Sequence, residues 1–241
     1  MLEEAILLAP TDPFSHFLLG VTLQGTWDGR LALPLEQRDY ARAEVALKRA
    51  RELEPLNGLY DLFLIENLQL QGRIDEAVTA LEALKGARKF QFDWTRLFNM
   101  QVKAAALAGI QDDQTLEKLW NTASILLYLP MRDLMASAFP EPGAADRDDI
   151  SRYEARKEGI VHIARLMDQG NVPVIERGIS VMLRKKTGKR MGGLYEAFGR
   201  KEKVAMADAL VQEAASARAR MDADIAANRG TWAYYKSQYL K

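Results

Sequence analysis

Helical spacing of apolar residues runs through almost the whole chain and limits the fold more than any other sequence feature. Apolar residues recur every three or four positions, and glycine or proline interrupts them at intervals of roughly 15 to 25 residues. Runs that alternate apolar and polar residues, as strands do, are nearly absent. The pattern therefore predicts an all-α protein. The expected helices lie near 2–9, 13–25, 36–53, 58–71, 74–85, 92–108, 113–128, 131–138, 149–168, 173–186, 192–199 and 201–228.

Two helix starts carry capping signals. Asp12 precedes Pro13, which places a capping carboxylate before a proline at the first helical position. Asp75 and Glu76 fall in a first turn, where the helix dipole favours negative charge. These residues predict helices that begin at about positions 13 and 74.

The N-terminal region contains two copies of a helical-hairpin pattern. The first copy places small and leucine residues on two successive helices, ended by a proline: Leu19, Gly20, Leu23, Ala43, Leu47, Ala50 and Pro55. The second copy repeats the arrangement: Gly58, Leu64, Leu68, Ala77, Leu81 and Leu84. Because small side chains let antiparallel helices approach closely, we expect Ala43, Ala50 and Ala77 to be buried where the helices pack.

This spacing resembles the tetratricopeptide repeat family, whose unit has about 34 residues. The resemblance is good over 1–86 and weaker over 87–128. It implies antiparallel helix hairpins stacked as a right-handed α-solenoid. The chain departs from the family where Pro10 and Pro55 stand 45 positions apart and where Ile65 replaces an expected small residue.

The resemblance also implies a concave surface lined by the first helix of each hairpin, on which a peptide or partner protein binds. The residues expected to line it are Phe14, Phe17, Val21, Gln24, Leu59, Leu62, Glu66, Gln69, Arg96, Asn99 and Lys103. Phe14, Phe17 and Leu62 would be the apolar anchors, unless another hairpin packs over the two phenylalanines. Phe17 and Val21 replace the asparagine and lysine of family members that clamp a terminal carboxylate, so we predict no such clamp.

The repeat phase places Met1 inside the second helix of a hairpin. Leu2, Ala5 and Pro10 reproduce the spacing of Leu47, Ala50 and Pro55. The phase favours a truncated chain, preceded in the longer protein by the missing helix or by a different element such as a membrane anchor; a natural start with a short capping helix is the alternative. Both a membrane-anchored and an exported bacterial protein fit, and the compartment stays open. No apolar run approaches the roughly 20 residues of a membrane span, so no transmembrane segment is predicted.

Two regions are expected, a repeat region at 1–140 and a helical lobe at 141–241, joined by an acidic loop that ends at Asp149. The last helix has a narrow, alanine-rich apolar stripe. Such a stripe packs within the chain or pairs with a second copy, so a homo-oligomer through this helix is an open alternative.

The sequence predicts neither an enzyme nor a cofactor or metal site. There are no cysteines, and His16 and His162 lie outside any known catalytic or metal-binding motif. The clustered carboxylates precede predicted helices, where acids cap helix ends. The alternative is an enzymatic or small-molecule site between the two regions, near Tyr153 and His162.

A basic stretch at 184–203 holds eight lysine and arginine residues against two glutamates. Its four glycines favour a solvated connection between two helices, and an acidic protein or lipid headgroup is the next interpretation. The whole chain has 33 basic and 33 acidic residues, so no overall charge draws it to nucleic acid, and we predict no nucleic-acid binding.

Overall fold

The fold is described from a computed structural model. It describes residues 2–25, 33–110, 112, 114, 138–140, 142–145, 149–169 and 174–227. Helices make up most of this part of the chain, and it contains no strand, only one isolated bridge between Asn57 and Lys89. The protein is therefore all-α, as the periodicity predicts.

The described α-helices are numbered here in chain order. They are α1 (Leu2–Leu8), α2 (Pro13–Gln24), α3 (Tyr40–Leu53), α4 (Gly58–Leu70), α5 (Ile74–Ala83), α6 (Trp94–Leu107), α7 (Ile150–Leu166), α8 (Val174–Ala197) and α9 (Lys201–Ala226). Short 3₁₀ turns occupy Leu35–Gln37, Leu84–Gly86 and Pro142–Ala144. The predicted helices at 113–128 and 131–138 fall almost wholly outside the described residues.

The predicted cap of α2 is confirmed. The Asp12 carboxylate accepts a hydrogen bond from the Ser15 backbone nitrogen at 3.0 Å, and Pro13 is the first helical residue. Gly25 ends α2 with a φ of 72°, a left-handed conformation that glycine adopts without a Cβ clash. Helix α3 begins later than predicted, at Tyr40, because Asp39 caps it by accepting from the Arg42 nitrogen.

Small residues bring α2 and α3 together. A Cβ on Gly20 would lie only 2.6 Å from Leu47 Cγ, so glycine is required at this contact. Ala43 and Ala50 are fully buried, and Ala77 on α5 is equally inaccessible. The predicted burial of these three alanines is confirmed. Stacking of the hairpins as a right-handed α-solenoid stays a prediction.

The two sequence regions share one apolar core. Gly159 of α7 lies against α5 so closely that a Cβ would stand 2.2 Å from the Leu81 carbonyl oxygen. Ile163 of α7 reaches Gly58 at the start of α4. The buried cluster extends from Phe14 to Ala207 and so includes side chains from both regions. The division at 140 stays a prediction.

Three of the four glycines in the basic stretch lie inside one helix, and only Gly199 lies in a connection between two helices. Helix α8 runs without a break from Val174 to Ala197, which corrects the two predicted helices at 173–186 and 192–199. The physical reason is packing against α9, since a Cβ on Gly188 would lie 2.8 Å from both the Ala207 carbonyl oxygen and Val211 Cγ2. Gly188 therefore serves close helix approach. No helix in the described part of the chain is long and apolar enough to span a membrane.

Candidate functional site

The apolar residues of the predicted concave surface are core residues. Phe14, Phe17, Val21, Leu59 and Leu62 are each at most 5% exposed. Phe14, Phe17 and Leu62, the expected apolar anchors, are therefore inaccessible in this structure, and their role in partner binding stays a prediction. Their side chains are covered by the chain itself.

A segment at 87–93, outside any helix, forms part of this cover and is called the closing segment below. Its Phe92 ring meets the Phe14 and Phe17 rings edge-on, at centroid distances of 5.7 and 5.8 Å. Phe90 and Phe92 are themselves buried, at 5% and 6% exposure. The sequence indicates a further N-terminal hairpin as the possible cover and does not predict this segment.

Asn57 holds the closing segment in place. Its side-chain amide donates to the Gln91 carbonyl oxygen at 2.9 Å and accepts from the Gln91 nitrogen at 3.0 Å. The Gly58 nitrogen donates to the Lys89 carbonyl oxygen at 3.0 Å. The backbone of the segment is thus paired much as a strand would pair it, by a loop 34 positions earlier in the chain.

Arg96 fixes the far end of the closing segment to α2. Its guanidinium donates to the Asp12 carboxylate at 2.8 Å and to the Ser15 hydroxyl at 3.3 Å, and it lies 4.9 Å above the Phe14 ring. Burial alone would raise the pKa of Asp12, but the hydrogen bonds from Arg96 and Ser15 outweigh it and lower that pKa from 3.8 to about 2. Arg96 therefore has a structural partner within the chain.

The polar residues of the predicted surface are only partly brought together. Gln24 and Glu66 are buried and hydrogen-bonded to each other, and the side-chain amide of Gln69 is buried with no hydrogen bond in the described structure. Asn99 is half-buried and Lys103 is exposed on α6, a helix that packs little against the other described helices. No open surface among the described residues unites these side chains with the buried apolar group.

The junction near Tyr153 and His162 is tightly packed. Tyr153 is 5% exposed, and His162 Nε2 lies 2.6 Å from the Ala87 carbonyl oxygen. The Arg156 guanidinium donates to the Ala138 carbonyl oxygen at 3.1 Å and lies 5.2 Å above the Tyr153 ring. His162 thus holds the closing segment against α7, and these described residues outline no open cavity.

The basic stretch separates into two groups in three dimensions. Arg184 is buried and donates to Asp168 at 2.7 Å and to Glu213 at 3.0 Å, so it joins α8 to α9 and to the end of α7. Hydrogen bonds from Arg165 and Arg184 outweigh burial and lower the pKa of Glu213 from 4.5 to about 2. Lys203 likewise pairs with Glu154. These cations hold helices together.

The second group of cations borders an open groove between α8 and α9, which has a volume of about 750 Å³ and is called the α8–α9 groove below. Apolar side chains form its floor: Val181, Met182, Val211, Ala214 and Ala215. Four cations stand along it: Lys185, Lys186, Lys189 and Arg218. The surface is concave because Gly178 on α8 and Ala214 and Ala215 on α9 have small side chains or none.

The three lysines of this border have no ion-pair partner among the described residues. All three are exposed. Arg218 differs, because it donates to both oxygens of Asp222 one turn later, at 2.9 and 3.0 Å. The border therefore carries uncompensated positive charge above an apolar floor.

A second groove, between α3 and α5, shows the opposite arrangement of charge. It has a volume of about 440 Å³, and four of its charged residues, Glu44, Lys48, Arg73 and Glu76, pair with one another. Glu44 accepts from Arg73 and lies 2.6 Å from the Lys48 ammonium, while Arg73 also binds Glu76. Hydrogen bonds from Lys48, Gln71 and Arg73 outweigh burial and lower the pKa of Glu44 from 4.5 to about 2. This groove leaves little charge to attract a partner.

Comparison with known protein families, with curated proteins and with solved structures finds no match. The resemblance to tetratricopeptide repeats stays a prediction. Among the described residues, no group of three or more histidine, aspartate or glutamate side chains is arranged to hold a metal ion.

Proposed function

We propose that this protein is a helical adaptor that binds another protein in the α8–α9 groove. The observation that carries the proposal is the open groove itself, with its apolar floor and polar border. Protein interfaces combine an apolar centre with a polar rim in this way. The resemblance of the N-terminal helices to a family of protein-binding repeats supports the same class of function.

The shape of the groove favours a helix as the bound element. Two neighbouring antiparallel helices leave a furrow between their side-chain ridges, and a third helix packs into such a furrow at about 8–10 Å from each axis. On α9 the floor residues Val211, Ala214 and Ala215 recur at helical spacing, and they face Val181 and Met182 on α8. Helix-in-groove binding uses anchors at this spacing.

The buried N-terminal surface has a supporting role in this proposal. Helices α4 and α5 hold α7 through contacts at Gly58 and Gly159, and the closing segment holds it through His162. Helix α7 in turn carries α8 through Ser180, whose hydroxyl donates to the Ala164 carbonyl oxygen at 2.6 Å. The N-terminal helices thus form the frame on which the groove is displayed. An enzymatic site between the two regions has less support, because the residues around Tyr153 and His162 are packed.

The test places one charge on the floor of the groove. Ala215 is exposed there, whereas Ala209 is exposed on the same helix and does not line the groove. Ala215→Glu should deplete specific proteins captured from a lysate of the source organism, because the longer side chain fills the floor on which the partner packs and its carboxylate neutralises the neighbouring border cations. Ala209→Glu is the matched control and should retain them.

Both variants should keep the melting temperature of the wild-type protein, because both positions face solvent. If Ala215→Glu captures every protein that Ala209→Glu captures, the groove is not the binding site. In that case the proposed function loses its main support.

A further inference from the structure

We infer that the partner element is an amphipathic helix with an acidic polar face, an inference that rests on the proposed function of the α8–α9 groove. The first observation is the charge of the border. Lys185, Lys186 and Lys189 are exposed and have no ion-pair partner among the described residues, and Arg218 faces them from α9. A helix that places carboxylates beside these cations complements the border.

Without a ligand, the close spacing of the border lysines destabilises α8. Lys185 and Lys189 stand four positions apart on one face, where like charges repel. On α3 the pair Lys48–Glu44, at the same spacing, carries opposite charges. Carboxylates supplied by a ligand would relieve the repulsion between the border lysines.

The shape of the groove favours a helix over an anionic membrane as the ligand. The apolar residues lie at the bottom of the groove, and the lysine side chains stand above them. A bilayer surface is broad, and interfacial helices bind it by inserting protruding apolar side chains. A recessed floor favours a narrow apolar ridge, which an amphipathic helix presents.

Charge also argues against two other occupants of the groove, the chain's own C-terminal segment and a second copy of the protein. Residues 228–241 contain Arg229, Lys236 and Lys241 and no aspartate or glutamate, so the segment does not complement the lysines. Two copies that met groove to groove would bring their lysine borders together. Nucleic acid is a poor ligand as well, because an apolar floor forms no hydrogen bonds or ion pairs with its phosphates.

The experiment uses the full chain and two synthetic peptides of about 18 residues, roughly five helical turns, as probes. Both have the same leucine stripe at helical spacing; one has glutamate on its polar face and the other has lysine. Fluorescence anisotropy should show binding of the glutamate peptide, with the lysine peptide at least about tenfold weaker. Raising the salt concentration from about 0.05 to 0.3 M should weaken the glutamate peptide several-fold, because exposed charges are screened.

Charge reversal on the border gives the matched comparison. The double variant Lys185→Glu/Lys189→Glu should bind the glutamate peptide at least about tenfold more weakly and should bind the lysine peptide more tightly than the wild type does. The control Lys85→Glu/Lys201→Glu makes the same change in net charge at exposed lysines outside the groove and should bind as the wild type does.

Several results would overturn the inference. They are equal binding of both peptides, binding of neither, or an equal loss in the control variant. Two further results would assign the groove to another occupant: a concentration-dependent dimer that Ala215→Glu abolishes, or lysine-dependent sedimentation with phosphatidylserine vesicles. If neither peptide binds while Ala215→Glu still depletes captured proteins, the acidic helix is wrong and the adaptor stands. If Ala215→Glu depletes none either, both fail.

Discussion

Asn57 offers the sharpest test of how the N-terminal core is closed. Its side chain is 1% exposed and forms hydrogen bonds to both the nitrogen and the carbonyl oxygen of Gln91, and it also caps α4 through the Leu59 nitrogen. The substitution Asn57→Ala removes these three hydrogen bonds at once, together with a fourth that the side-chain amide donates to the Glu54 carboxylate at 2.9 Å. It leaves the Gln91 backbone groups beside an apolar methyl group.

The expected fall in stability is worked from those three hydrogen bonds. Each of the two hydrogen bonds to Gln91 contributes about 0.5–1.5 kcal/mol, and removal of an N-cap costs about 1 kcal/mol. We therefore expect Asn57→Ala to lower the free energy of unfolding by about 2–4 kcal/mol. For a chain of this length, that corresponds to a drop in melting temperature of roughly 5–15 °C.

The assay combines thermal or urea unfolding with hydrogen exchange of the Gln91 amide, which should speed up in the variant. Gln91→Ala is the matched control, because the Gln91 side chain is exposed and only its backbone is held. The control should unfold close to the wild type. A change below about 0.5 kcal/mol in Asn57→Ala, with unchanged exchange, would refute the account of the closing segment.

Three further predictions follow from the packing, the acid titration and the charge. Gly159→Val should destabilise the protein by several kcal/mol in urea unfolding, because its side chain would overlap the Leu81 carbonyl oxygen; an unchanged midpoint would contradict the packing of α7 on α5. Since the folded pKa of Glu213 is lowered from 4.5 to about 2, its stabilising effect is present above pH 4.5 and is lost as the pH falls toward 2. Unfolding midpoints at about pH 5 and pH 3 should therefore differ less in Glu213→Gln than in the wild type, and an equal difference would contradict this role. Duplex or single-stranded nucleic acid should bind weakly and be released by about 0.2 M salt, and a complex that survives would contradict the prediction.

Local chemistry explains what the sequence predicts correctly. The Asp12–Pro13 cap needs only neighbouring residues, and the structure confirms it. The burial of Ala43, Ala50 and Ala77 is predictable because small residues recur in phase with leucines, and all three are fully inaccessible. In both cases the signal lies within one helix or one hairpin.

Non-local contacts explain what the sequence does not predict. Phe90 and Phe92 alternate as in a strand, but the alternation is too short to be recognised, and the residue that pairs with this segment, Asn57, lies more than thirty positions away. Gly188 inside a helix costs about 1 kcal/mol relative to alanine, so a glycine in a basic stretch suggests a break. Only the approach of α9 against Gly188 shows why α8 continues.

The functional site shows the same difference between local signals, which the sequence reveals, and non-local contacts, which it does not. The resemblance to tetratricopeptide repeats assigns binding to the first helix of each hairpin, where the structure buries Phe14, Phe17 and Leu62. The α8–α9 groove arises because residues 184–197 continue α8 as one helix, which places some cations in the interior and others at the border of the groove. Buried Arg184 pairs within the chain, whereas the border lysines that follow it face solvent. Sequence alone does not separate these two groups.

Site-specific photo-crosslinking tests the central claim of a protein-binding groove most directly. A photoreactive amino acid placed at Lys186, on the border of the groove, is compared with one at Met206, which is 61% exposed on α9 and does not line the groove. The account predicts a discrete cross-linked partner from position 186, joined through an acidic amphipathic helix when the linked peptide is sequenced, and none from position 206. Cross-links from position 206 alone, or from neither position, would contradict it.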